Sequence, residues 1–150
     1  MRISVTPRRL RLWTGLVLFA YLATHLLNHA VGLISLSAME TVRDRLFEDF
    51  WRGPGLPFLA FSLVCHVALA LRSIYRRHSL RMASWEWAQL QVFVAVPPLL
   101  AIHLIGTLGG AFVFGIEPTY GFVLLSTWVV GGWPVVQQAL VILVAWLHGC

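Results

Sequence analysis

The residues of this chain best suited to chemistry are its six histidines: His25, His29, His66, His78, His103 and His148. All but His78 fall inside long apolar runs. A polar ring in the middle of an apolar helix costs free energy unless something satisfies it. The run "LWTGLVLFAYLATHLLNHAVGLISL" poses the problem most sharply, because its centre, "THLLNH" (Thr24 to His29), holds two imidazoles and an amide. A lone intramembrane histidine is ordinarily a hydrogen-bonded packing residue. One on each of four consecutive runs points to ligation. Neutral imidazole is a good ligand of haem iron, and the facing helices of a bundle can hold the macrocycle between them. His78 lies in a basic loop and reads as a solvated or headgroup-facing side chain.

The elements that must position these rings are membrane helices. Of 150 residues, 59% are hydrophobic and 11% charged, and the mean hydropathy is +0.79. A soluble domain carries roughly twice that charge. The net charge of +5 does not indicate nucleic acid, because the basic residues are all arginines beside apolar runs, the pattern of membrane flanks. The expected fold is an all-α, polytopic transmembrane bundle in one domain. Its four spans cover about residues 12–36, 56–75, 87–114 and 134–150, with a short interfacial or half-inserted helix over about 120–130. Pro97-Pro98 predicts a kink or an unwound turn in the third span, and Pro134, after Gly131-Gly132, opens the fourth. The basic start and first apolar run are too long for a signal peptide and lack a small-residue cleavage site, so the first helix is retained. The fourth run is still apolar at Cys150, which predicts that the chain is a piece of a longer protein.

Arginine placement orients the bundle. Arg2, Arg8, Arg9 and Arg11 precede span one, and Arg72, Arg76, Arg77 and Arg81 lie between spans two and three. The segment 37–52, read as a loop, mixes Arg43, Arg45 and Arg52 with four acids, and the loop after span three has only Glu117. The N-terminus and the 76–81 loop are therefore cytoplasmic. Trp13, Trp85 and Trp87 mark that interface; Trp51, Trp128 and Trp133 mark the other.

Counted along the helices, His25, His29 and His103 lie about 20, 25 and 24 Å from the cytoplasmic side. His66 and His148 descend about 14 and 21 Å from the outside. His25 or His29 pairs naturally with His103 in the outer half, and His66 with His148 in the inner half. Two levels and two pairs predict two stacked b-type haems. His25 and His29 share a helix face; one suffices for iron, and the other is left to bond a propionate, a quinone or a neighbouring helix. Ala70, Gly106, Gly109 and Gly110 either admit a macrocycle or pack helices closely. Arg72 either pairs with a propionate or snorkels to headgroups. Ser84 is a candidate helix cap, and Trp85, Glu86 and Gln89 are candidate linings of a quinone pocket. Cys65 and Cys150 read as buried structural thiols. No phosphate loop, Cys-x-x-Cys-His sequence, catalytic carboxylate pair or nucleophile occurs, so no catalytic residue is assigned.

The phrases "LVLFAYLATHLLNHAVGLISLSAME", "YRRHSLRMASWEWAQ" and "QQALVILVAWLHGC", with histidines on four consecutive helices, resemble a known family. It is that of the dihaem cytochrome b anchors of succinate dehydrogenases and fumarate reductases. The closer likeness is to the succinate-dehydrogenase-like N-terminal membrane domain of some bacterial class III adenylate cyclases, and it covers nearly the whole chain. In the family the first-helix ligand is followed by leucine. The resemblance therefore implies His25, before Leu26, as the axial ligand, with His29 as a supporting or alternative ligand. It implies His66, His103 and His148 as the other axial ligands.

It also implies two haem b groups, a response to quinone or quinol, a bacterial inner-membrane location, a further one or two helices after Cys150 and then a covalently linked cytoplasmic cyclase domain. A homodimer is compatible with it. The expected function is a redox- or quinone-responsive input domain of an adenylate cyclase, in which a shift in helix packing passes through the last helix to the cytoplasm. Two alternatives stand beside it: an electron-transferring cytochrome b anchor subunit of a succinate dehydrogenase or fumarate reductase, and a cofactor-free membrane anchor.

Overall fold

Several helices of this chain begin where local chemistry caps them. In the computed structural model, which describes residues 6–77, 79, 81–117 and 119–149, α1 (Pro7–Val31) starts after Thr6. The Thr6 hydroxyl accepts a hydrogen bond from the Arg9 N–H at 3.3 Å, and Pro7 fills a first helical position whose N–H is not needed. Arg2, His78 and Cys150 lie outside the described residues. The chain forms two compact units, Met1–Leu80 and Arg81–Cys150.

In the first unit α1 ends at Val31, not at residue 36. The chain turns over residues 32–34, and the Ser35 hydroxyl caps a new helix by accepting from the Ala38 N–H at 3.0 Å. This helix, α2 (Leu36–Val42), runs on into π-helical turns over Arg43–Trp51. The expected loop at 37–52 is thus helical. Its charges are tied along the helix, Arg43 to Glu40 at 2.6 Å and Arg52 to Glu48 at 2.7 Å. Met39 and Phe47, eight positions apart, form its buried stripe. Met39 lies over Gly32, and Phe47 over Tyr21 and His25, so the segment folds back along α1. The second span, α3 (Gly55–Tyr75), falls where the sequence places it.

In the second unit α4 (Ser84–Leu104) passes through π-helical turns at Ile105–Gly109 into α5 (Gly110–Phe114). Ser84 is the first helical residue and not the cap. Ala83 holds the cap position, and the Glu86 carboxylate accepts from its N–H at 3.2 Å. Pro97-Pro98 does not unwind α4, which is continuous through both. The proline φ is compatible with a helix, and only the two missing N–H groups are lost. The irregular turns come seven residues later, at Ile105–Gly109. Gly115, at φ 62°, closes α5 in the left-handed conformation that glycine adopts without strain. The Thr119 hydroxyl caps α6 (Tyr120–Leu124), which continues as π-helical turns over Leu125–Val129. The final helix, α7, is Trp133–Gly149.

All described elements are helical. Pro7–Val31, Gly55–Tyr75 and Ser84–Phe114 are long and apolar enough to cross a bilayer. Tyr120–Val129 and Trp133–Gly149 qualify only as a pair, bent by 111° about Gly131-Gly132. The 17 residues of α7 rise about 25 Å, short of a hydrocarbon core of about 30 Å. By helix length and hydropathy the chain is a multi-pass membrane protein with three spans, or four if the bent pair is one.

Burial agrees with a lipid solvent. Thr14, Asn28, Ser62, Thr127 and Gln137 are buried, whereas Phe19, Phe58, Val64 and Leu143 are exposed. Between helices in lipid, association comes from small and polar side chains, because hydrocarbon offers apolar residues as good a home as the interface does.

Candidate functional site

His66 sits midway along α3 and packs on the N-terminal third of α1. Its Nδ1 lies 3.2 Å from the Arg11 carbonyl oxygen and 3.3 Å from Thr14 Oγ1. A carbonyl only accepts, so the Arg11 contact is a hydrogen bond when Nδ1 carries the proton. Nε2 then bears the lone pair, the arrangement a metal-ligating imidazole uses. Thr14 spends its own proton on the Leu10 carbonyl at 2.9 Å and can accept from the ring. The approach depends on Gly15: a Cβ there would stand 3.1 Å from His66 Cε1.

His25 and His29 lie nearer the C-terminal end of α1, with Nε2 atoms 3.2 Å apart and ring planes at 90°. Tyr21 stacks on His25 with centroids 5.8 Å apart, and Phe47 meets His25 edge-on at 5.6 Å. Trp51 stands edge-on to Tyr21 at 5.2 Å. Its indole N–H is buried and has no hydrogen-bond partner among the described residues. Thr24 bonds back to the Ala20 and Tyr21 carbonyls, and Asn28 is only 1% exposed.

In the second unit α4 and α7 run antiparallel. The Gln137 amide donates to the Leu99 carbonyl at 3.0 Å, Gln138 Nε2 lies 3.1 Å from His103 Nδ1, and Phe93 faces His148 with ring centroids 6.4 Å apart. A cavity of about 310 Å³ opens beside His103, walled by the π-helical turns of 105–109 and 125–129 and the start of α7. Thr107, Ser126, Thr127 and both glutamines supply polar groups, and no charged side chain lines it among the described residues. Gly106 and Gly110, three and seven residues after His103, also line it, and a Cβ at either would meet nothing within 4 Å.

The histidines thus occupy two levels in each unit. From Thr14, level with His66, to His25 is a rise of about 16 Å along α1. From Gln138, level with His103, to His148 is about 15 Å along α7. The structure brings His25 and His29 together and keeps both away from His66; it likewise separates His103 from His148. No cluster of three or more His, Cys, Asp or Glu side chains able to chelate a bare metal ion occurs among the described residues.

Several residues around the site carried a weaker signal. Gln137 and Gln138, adjacent amides in an otherwise apolar helix, could have been singled out by the same cost argument that singled out the histidines. Phe47 was hidden in a segment read as a loop. Glu86, a candidate pocket residue, is committed to the α4 cap, while Trp85 and Gln89 are exposed. Arg72 is exposed, as snorkelling requires, and Cys65 is a half-buried free thiol. Comparison with protein-family models, curated proteins and solved structures finds no match to this chain.

Proposed function

We propose that this chain is a haem b-binding membrane domain, with His25 and His103 as axial ligands of one haem and His66 and His148 of the other. We propose further that it serves as the redox- or quinone-responsive input domain of a cytoplasmic adenylate cyclase in a bacterial inner membrane, N-terminus inside. The single observation that carries the haem reading is the matched pair of histidine levels, separated by about 16 Å of helix rise in one unit and about 15 Å in the other. The cyclase part rests on the family resemblance alone.

The residues present fit the group. The donor set is neutral imidazole without carboxylate or thiolate, which suits haem iron better than a chelated ion. Gly106 and Gly110 leave a side-chain-free strip beside His103. The Trp51 N–H beside Tyr21, without a partner among the described residues, is a donor suited to a haem carboxylate. When bound, haem supplies reversible one-electron chemistry. The chain's own part is to orient the rings. The Arg11 carbonyl fixes the tautomer of His66. Tyr21 and Phe47 hold the plane of His25.

One set of contacts favours a second reading, a cofactor-free anchor. His66 bonded to α1, His103 to Gln138 and His25 to His29 are also what polar interhelical glue looks like. A reduced-minus-oxidised spectrum of the purified chain, expressed with ample haem, separates the two. The haem reading expects a b-type α-band. A folded, colourless protein establishes the anchor. Sequencing the reading frame past Cys150 tests the cyclase proposal: a cyclase domain supports it, and a stop after one or two more helices favours an anchor subunit of a succinate dehydrogenase.

A further inference from the structure

The contact between Gln138 and His103 has a consequence for the outer site. We infer that Gln138 is the positioning residue of the His103 level: its side-chain oxygen accepts a hydrogen bond from the His103 Nδ1–H, turns Nε2 toward iron and sets the potential of that haem. The inference rests on the haem reading above and concerns this chain's own residues.

The Gln138 Nε2 amide nitrogen lies 3.1 Å from His103 Nδ1, the placement in which the amide donates to a bare Nδ1. An amide presents either its NH2 or its oxygen by a half-turn about its last torsion, so one side chain can serve either imidazole tautomer. Iron takes the nitrogen that bears a lone pair. With Nε2 on iron, Nδ1 carries the proton, and the amide then has to present its oxygen. His66 makes the same arrangement with a backbone acceptor, the Arg11 carbonyl. With the Gln138 amide turned, the imidazole of each unit meets an oxygen acceptor at Nδ1, and the one at His103 is replaceable by mutation.

Gln137 gives the neighbouring amide a different task. It is 3% exposed and reaches the Leu99 carbonyl, one turn before His103. It clamps α7 to α4. The pair separates structure from tuning: loss of Gln137 loosens the helix contact, and loss of Gln138 changes the electron donation of the ring. An acceptor at Nδ1 makes imidazole a stronger donor and favours ferric iron. Removing it raises the potential, and a carboxylate in its place lowers it.

The test uses the whole chain, purified with haem, in wild-type, Gln138→Leu, Gln138→Glu and Gln137→Leu forms. Redox titration and the rate of haem transfer to apomyoglobin are measured for each. Gln138→Leu is expected to raise the potential of the His103 haem and to speed its loss about 10–100-fold, leaving the His66 haem unchanged. Gln138→Glu, nearly the same size, is expected to keep the haem and move its potential the opposite way. Gln137→Leu is expected to lower stability without moving either potential. A wild-type chain with two haems whose potentials ignore both Gln138 substitutions overturns the inference alone. A colourless wild-type chain removes the haem reading and the inference with it.

Discussion

His25 Nε2 and His29 Nε2 face one another across 3.2 Å on a single turn of α1, their rings perpendicular. Two neutral imidazole nitrogens at that distance share one proton, so one donates and the other accepts. Neither nitrogen can hold that bond and ligate iron. For His25 to reach haem the pair must open, and His29 becomes the group next to the ligand.

The first prediction follows from that pair. His25→Ala should empty one haem site or convert it to high spin, because a lost axial ligand leaves five-coordinate iron. His29→Ala should keep a low-spin, six-coordinate haem with a shifted potential. Electron paramagnetic resonance with redox titration distinguishes the two. The reverse pattern would put iron on His29.

The second concerns the close approach at Gly15. Gly15→Ala places a methyl 3.1 Å from His66 Cε1, tighter than ordinary contact. Either α1 and α3 separate or the ring tilts from the Arg11 carbonyl. Overpacking of this kind costs about 1–3 kcal/mol. The expected outcome is lower stability in denaturant titration and a shift in the spectrum of the His66 haem alone. An unchanged spectrum and midpoint would show that the ring position does not matter.

Much of this architecture could be read from the residues, and the reasons for the remainder are physical. Four apolar runs, their order and the bounds of α3 follow from hydropathy alone. The segment 36–51 escaped because its charges were read by composition, although Met39 and Phe47 mark a buried stripe at helical spacing. A proline in a helix is a local loss of hydrogen bonds, and α4 stays helical through Pro97-Pro98 where an unwound turn was one expectation. The tethers of the histidines, Arg11 for His66 and Gln138 for His103, join residues 55 and 35 positions apart. No periodicity within one helix announces such a contact.

The third prediction uses Trp51. Trp51→Phe removes the buried indole N–H but preserves an aromatic ring against Tyr21. If no cofactor binds, deleting an unsatisfied donor is neutral or stabilising by up to about 1–3 kcal/mol. On the haem reading the same change should weaken haem retention at the His25 level and spare the other. Thermal denaturation and haem transfer, measured together, show which occurs.

The central claim is that two haem b groups sit at two histidine levels. The most direct measurement is the pyridine haemochrome stoichiometry of the purified chain and of His103→Ala and His66→Ala. Two haems per wild-type chain and one in each variant, with different residual spectra, is the predicted result. No haem in the wild type, or loss of both from a folded single variant, contradicts it.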